Sequence, residues 1–163
     1  MLLYLKVVDL DLQGNNFGER VSSRAFSGVS RHLLSLNLAW ANITRLPGKL
    51  LRGMVALRNL TLAENRIRRL ASYSFQDLRS LERLSLAGNP LVELQPDVFR
   101  YQTNLYALDL GYCSLTVLPW NVFNGNLFET SIVQCDPHDI LAFKLSETVL
   151  FAYLQTGTVS DIG

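Results

Sequence analysis

Leucine recurs along this chain at a fixed interval. Four consecutive segments, each 24 residues long, begin at Leu33, Leu57, Leu81 and Leu105. With each of these leucines counted as position 1, positions 4 and 6 are leucine in all four segments, and positions 11, 14 and 19 are always apolar. Six apolar columns that hold over four segments indicate an internal structural repeat with a period of 24 residues.

The spacing within the repeat predicts one short strand followed by a longer return. Positions 4 and 6 flank a variable position, so both leucines lie on one face of a strand. One strand cannot bury that face alone, and we therefore expect successive repeats to stack around a shared leucine core. Asn65 and Asn89, at position 9, are expected to bond backbone groups of the turn. Phe75, Phe99 and Phe123, at position 19, are expected to pack as a spine behind the strands.

These features predict an α/β fold in the form of a solenoid. We expect a curved parallel β-sheet on its concave face and irregular or short helical returns on its convex side. A weaker repeat precedes the regular ones, with a return two residues longer, at Val7, Leu10, Leu12, Asn15 and Phe17. Another follows after a register shift of two residues, at Leu127, Thr130, Ile132 and Cys135. Residues 1–135 are thus predicted to form five to six rungs, a rung being one strand with its return.

Residues 136–163 depart from the repeat and predict a C-terminal helical cap and tail. Asp136 and Pro137 suit the start of a helix. Apolar residues then follow at helical spacing, namely Ile140, Phe143, Leu150, Phe151 and Leu154. An amphipathic helix here would seal the open end of the solenoid. A membrane-surface helix is the alternative, and the lack of a basic face disfavours it.

Residues 57–78 match a known repeat consensus almost letter for letter. The match to L-x-x-L-x-L-x-x-N-x-L-x-x-L-x-x-x-x-F-x-x-L falls on Leu57, Leu60, Leu62, Asn65, Ile67, Leu70, Phe75 and Leu78. Over about residues 7–135 the chain thus resembles the typical, 24-residue class of leucine-rich repeat proteins. That class is similar to extracellular recognition proteins such as Toll-like receptor ectodomains, variable lymphocyte receptors and Slit-like guidance proteins. The resemblance implies an extracellular or cell-surface ectodomain with a receptor role in innate immunity.

Positions 2, 3, 5, 7 and 8 of each repeat point outward on the concave face of such a solenoid. They form a mixed, mainly polar strip with aromatic anchors, which is typical of surfaces that bind proteins. The predicted ligand-binding residues are Trp40, Arg58, Asn59, Thr61, Glu64, Arg83, Tyr106, Asp109 and Tyr112. For Trp40 and Tyr112 the alternative is packing against neighbouring rungs or a returning loop.

Charge argues against nucleic acid as a partner. The formal net charge is +1, and the concave columns lack repeated basic residues. Basic residues do occur on the turns and returns, at Arg45, Lys49, Arg52, Arg66, Arg68, Arg69 and Arg79. They could bind a glycosaminoglycan or another polyanion, or they could form a solvated flank that keeps the solenoid soluble. The near-zero net charge favours the solvated flank.

The sequence offers no convincing catalytic or metal site. Cys113 and Cys135 both fall at position 9 in the predicted register, where these repeats accept cysteine in place of asparagine. Adjacent strands lie about 5 Å apart, so a disulfide between the two is conceivable and their bonding stays open. Nothing positions His138 as a base for Cys135, and two histidines are too few for a metal site. We therefore expect no enzyme activity, no metal and no cofactor.

Secretion and membrane signals are weak. Asn42 and Asn59 each begin a glycosylation sequon, but about one to two such patterns are expected by chance. No apolar run is long enough to span a bilayer, so no membrane insertion is expected in this segment. The apolar opening at residues 1–8 lacks a basic region and a cleavage site, and it is expected to begin structure rather than to direct secretion.

The sequence therefore predicts a non-catalytic protein-recognition module. It would bind a protein ligand through its concave strand face, as an extracellular glycoprotein of the immune-receptor or cell-surface-receptor type. One alternative is a structural scaffold or a repeat protein that self-associates through its solenoid ends. Another is an intracellular repeat protein of the same architecture.

Overall fold

The computed structural model describes residues 7–18, 21–116, 119 and 122, together with the backbone of the strand at 132–134. Its strands are β1 (Asp9–Asp11), β2 (Ser35–Asn37), β3 (Asn59–Thr61), β4 (Arg83–Ser85), β5 (Ala107–Asp109) and β6 (Ile132–Gln134). They form one parallel sheet in chain order. The predicted cap at 136–163, the spine residue Phe123 and the expected rung residues Leu127 and Thr130 lie outside the described residues.

The sheet confirms the 24-residue register. The position 4 leucines pair in sequence, with Leu36 opposite Leu60, Leu60 opposite Leu84 and Leu84 opposite Leu108. Leu10 pairs with Leu36, so the first return is two residues longer, as its spacing predicts. Parallel strands of three residues each, joined by long returns and backed by a common core, define the solenoid.

The predicted register of the last strand is wrong. Val133 pairs with Leu108, so position 4 of the sixth rung falls three residues later than the expected Thr130. Ile132 and Val133 are both β-branched and suit an extended backbone, whereas the leucine pattern that guided the prediction is weak in this stretch. In the observed register residue 135 corresponds to position 6, so the assignment of Cys135 to position 9 fails. The surroundings of Cys135 lie outside the described part of the chain.

The core is built from the repeat columns. The leucines at positions 1, 4 and 6 of the regular rungs are almost completely buried. Phe75 and Phe99 stack behind the strands, with ring centroids 5.9 Å apart and an interplanar angle of 13°, which confirms the expected spine at these two positions. The described returns consist of hydrogen-bonded turns, such as that from Leu50 N–H to Pro47 C=O, and they contain no α-helix. Burial of each large side chain stabilises the fold by about 1.5–3 kcal/mol.

Asn65 joins two rungs from inside the core. Its Oδ1 accepts hydrogen bonds from the backbone N–H groups of Ala41 and Ile43, at 3.1 and 2.9 Å. Its Nδ2 donates to the carbonyls of Leu38 and Leu62, at 2.8 and 2.9 Å. The turn after each strand cannot pair these backbone groups within its own rung, and their burial would be costly without a partner. The amide therefore serves as the hydrogen-bond partner that the turn lacks.

Other rungs repeat this arrangement with variations. The Asn89 side chain accepts from Ile67 N–H and donates to the carbonyls of its own and the preceding rung. Cys113 is buried, and its Sγ donates to the Leu86 carbonyl at 3.4 Å, which places it in the same column. At Ala41 the column has no polar side chain, and Phe17 N–H bonds the Ala41 carbonyl directly at 2.9 Å.

We expect the substitution Asn65→Ala to lower the free energy of unfolding by about 3 kcal/mol, because it leaves several buried backbone groups without partners. Chemical denaturation followed by circular dichroism measures this quantity. Asn15→Ala is the matched control, because Asn15 occupies the same position but is exposed, and its side chain donates to Leu12. We expect that change to cost less than about 1 kcal/mol. Equal losses in the two variants would contradict a special role for the buried amide.

Candidate binding face

The strands β3, β4 and β5 share an open depression on the concave face. Its volume is about 290 Å³, and the predicted residues Asn59, Thr61, Arg83 and Asp109 line it. The central residue of each strand is a buried leucine. The two residues on either side of it point to the opposite face and are exposed or half-buried. The structure thus brings four of the predicted residues together. We call this region the concave strip, comprising positions 2, 3 and 5 of these three rungs.

Arg83 is held in place by residues of the two neighbouring rungs. Its guanidinium donates to Asn59 Oδ1 at 3.2 Å, and its Cζ lies 4.9 Å from the centroid of the Tyr106 ring. The ring face attracts the cation, and this contact adds to the hydrogen bond. Arg83 itself is exposed. The strip therefore presents a pre-oriented guanidinium, which is suited to a carboxylate on a partner.

Arg58, at position 2, forms an ion pair with the next rung. Its guanidinium lies 3.3 Å from Glu82 Oε1, and most of the arginine side chain is exposed. An ion pair at this exposure contributes little to stability. Its effect is to hold the Arg58 side chain along the rim of the strip.

Asp109 also forms two hydrogen bonds within the fold that the sequence did not predict. Its Oδ1 accepts from Gly111 N–H at 3.0 Å, and its Oδ2 accepts from the Ser85 hydroxyl at 3.2 Å. Asn37 makes the equivalent bond to Ala39 N–H at 3.0 Å, and the pattern recurs in the first rung. Asp and Asn at position 5 thus cap the turn that follows the strand in the first, second and fifth rungs.

Position 8 adopts a left-handed backbone in every rung from the first to the fifth. The φ angles are 75° at Gly14, 55° at Trp40, 54° at Glu64, 65° at Gly88 and 56° at Tyr112. In the first four rungs the N–H of position 8 donates to a carbonyl of the next rung, as Trp40 N–H does to Ala63 at 3.1 Å, which fixes the turn. The two glycines of this column, Gly14 and Gly88, are the sequence signal for this conformation.

Three bulky residues occupy this conformation and project from the edge of the concave face. Trp40 is 59% exposed and Tyr112 is 77% exposed, and Glu64 is also exposed. A Cβ atom placed on Gly88 would lie 2.5 Å from Cδ of Glu64, so the Glu64 carboxylate lies over that glycine and bridges to the next rung. We call Trp40, Glu64, Gly88 and Tyr112 the edge row.

The two sequons lie in different surroundings. Asn42 is half-buried, and its Nδ2 donates to Asn16 Oδ1 at 2.9 Å. Asn59 faces the concave strip, where its Oδ1 accepts from Arg83. A glycan on Asn59 would cover the strip. Glycosylation of either residue stays a prediction.

Metal ligation and membrane insertion are two further properties on which the described residues bear. No group of three or more His, Cys, Asp or Glu side chains within them could hold a metal ion. Across the same ranges, none of the structure is a helix long and apolar enough to cross a bilayer. The residues Cys135 and His138 lie outside the described part of the chain.

Two leucine-rich repeat structures resemble this fold. The crystal structure of the leucine-rich repeat domain of APL1B has a TM-score of 0.62 and 22% identity, and the match covers 69% of this chain and 39% of that one. The structure of the Toll–Spatzle complex, described as a molecular hub in Drosophila development and innate immunity, has a TM-score of 0.63 and 22% identity. That match covers 79% of this chain and 16% of the other. The chain thus spans less than half the length of either, and the likeness shows the fold.

No curated protein matches the chain in sequence. The model of the leucine rich repeat family, however, matches residues 6–67 and 31–91, which together make up more than half of the chain. These matches include the leucine columns of the first three rungs, the buried amides of Asn65 and Asn89, and the spine residue Phe75. The chain belongs to the leucine-rich repeat family.

Proposed function

We propose that this chain is a non-catalytic recognition module that binds a protein partner through the concave strip and the edge row. Leucine-rich repeat domains are commonly protein-interaction modules. The observation that carries the proposal for this chain is the pair of exposed aromatic residues, Trp40 and Tyr112, in a left-handed backbone conformation.

The conformation of these aromatic residues is unfavourable for the fold itself. A residue other than glycine costs about 1–2 kcal/mol in the left-handed region, and glycine avoids this cost. Gly14 and Gly88 show that the rung accepts glycine at the same position. An exposed Trp or Tyr recovers little of the cost by burial. Strain retained at an exposed position favours a role in contact with a partner.

The chemistry of the surface suits a protein. Trp, Tyr and Arg are the residues that most often dominate binding energy at interfaces, and the edge row and the strip supply all three. Arg83 would pair with a carboxylate of the partner, and the Glu64 carboxylate with an amine or a guanidinium. Because the stacked rungs hold these groups at fixed spacing, binding would require little further ordering of the surface.

Receptor type and location extend this proposal. We place the chain among extracellular immune or cell-surface receptors, because the Toll structure that resembles it was solved with a protein partner, Spatzle. The division into repeats at residues 1–135 and a cap at 136–163 is likewise proposed from the sequence pattern.

Tyr112→Gly tests whether the aromatic ring serves the fold. We expect the free energy of unfolding to stay unchanged or to rise by up to about 1 kcal/mol, because relief of the left-handed strain offsets the added entropy of glycine in the unfolded chain. The reciprocal change, Gly14→Tyr, should lower the free energy of unfolding by about 1 kcal/mol. The space around Gly14 is open, so the cost comes only from the left-handed backbone conformation. Urea denaturation gives both values. A loss well above 1 kcal/mol for Tyr112→Gly would show a structural role and remove this support.

Site-specific photocrosslinking tests the face. A benzophenone amino acid in place of Trp40 or of Tyr112 should capture the same partner from the extracellular fluid of the source tissue. Tyr73 and Tyr101 are matched controls, because they are exposed tyrosines that lie on the returns. Crosslinks of equal yield from these two positions would place the interface elsewhere.

Measurement of the binding affinity tests the same surface quantitatively. With the captured partner, the double variant Trp40→Ala/Tyr112→Ala should weaken binding about 100-fold, because two interface anchors contribute roughly 1–2 kcal/mol each. The double variant Tyr73→Ala/Tyr101→Ala should bind as the unaltered chain does. Sedimentation across a concentration series addresses the scaffold alternative, since self-association through the ends would appear as a dimer or higher species.

A further inference from the structure

A second surface feature lies on the returns of the first two rungs. It is a pocket of about 340 Å³ between the turns at residues 23–31 and 49–53. Four basic residues line it, namely Arg24, Arg31, Lys49 and Arg52. It shares no lining residue with the depression on the concave face, so the two surfaces can act independently.

The positive charge of this pocket is not balanced by its own lining. Among the described residues that line it, none is acidic. The ion pairs found in the described part of the chain involve other arginines, Arg58 and Arg69. Asp77 is next to the pocket but not part of its lining, and its Oδ2 accepts from Gly53 N–H at 2.9 Å. Four like charges around one cavity repel each other, in a chain whose formal net charge is only +1.

Hydroxyl groups complete the lining. Ser23, Ser27 and Ser30 lie among the four basic side chains, so the pocket combines cationic donors with neutral ones. Ser30 is buried and its hydroxyl donates to the Ser27 carbonyl at 3.5 Å, so Ser23 and Ser27 supply the hydroxyls that can donate to a ligand. Guanidinium, ammonium and hydroxyl donors around one cavity are the set that a tetrahedral oxyanion requires, because each of its oxygens accepts several hydrogen bonds.

We propose that this pocket binds a small, multiply charged ligand that carries phosphate or sulfate groups. Its volume lies within the usual range for small-molecule sites. Bound anions would remove the repulsion among Arg24, Arg31, Lys49 and Arg52. The concave strip offers no such cluster, since its charged residues are of both signs.

Isothermal titration calorimetry tests the proposal with two probes, inositol hexakisphosphate and a fully sulfated heparin disaccharide. At least one should bind with a stoichiometry of one and an affinity that falls as salt is raised. Tighter binding of the first identifies phosphate as the preferred group, and tighter binding of the second identifies sulfate. Failure of both probes to bind at millimolar concentration overturns the proposal.

The variant Arg31→Gln/Arg52→Gln should weaken binding of the preferred probe at least tenfold. Arg66→Gln/Arg68→Gln is the control, because it removes the same charge at exposed positions outside the pocket. It should bind within twofold of the unaltered chain. Equal weakening in both variants would show attraction to overall charge rather than a site, and would overturn the proposal. Lys49→Gln, a single change at an exposed side chain, provides a second pocket variant should the double variant fold poorly.

Discussion

Hydrogen bonds between neighbouring rungs are the interaction on which the rest of this structure depends. Each strand has only three residues and cannot persist alone, so its backbone groups are paired by the rungs on either side. Asn65 extends this pairing beyond the strand, where its side chain bonds the carbonyls of Leu38 and Leu62. The leucine core supplies most of the buried area. The hydrogen bonds of the turns allow the chain to leave the sheet without leaving buried polar groups unpaired.

The same constraint shapes the candidate binding surface. Because the N–H of position 8 must reach a carbonyl of the next rung, the backbone there turns left-handed. That turn projects Trp40 and Tyr112 away from the core at the edge of the concave face. Asp109 shows the converse coupling, since a residue on the binding surface also caps the turn behind it. Asp109 therefore combines a structural and a recognition role, and a substitution there will disturb both.

The concave surface and the basic pocket differ in how a solenoid builds them. The strip repeats by register, so its members could be named from the 24-residue period alone, and Asn59, Thr61, Arg83 and Asp109 do line one depression. The pocket is assembled where two returns pack together. The sequence showed basic residues at Lys49 and Arg52, but the period does not say which residue of the irregular first return faces them. The sequence pattern therefore did not identify Arg24 and Arg31 as neighbours of Lys49 and Arg52.

What the sequence determined by itself is the repeat, its register in the regular rungs and the family, because burial of one strand face imposes a strict period on the chain. Tertiary structure decided the rest. The pairing of Val133 with Leu108 overrode the weak leucine pattern of the last rung, since strand pairing follows backbone hydrogen bonds and not the identity of one side chain. The left-handed backbone at Glu64, its carboxylate over Gly88 and the bond of Asp109 to the Ser85 hydroxyl also arise between rungs. Their partners lie about 24 residues away in the chain, beyond the reach of a pattern that describes one rung at a time.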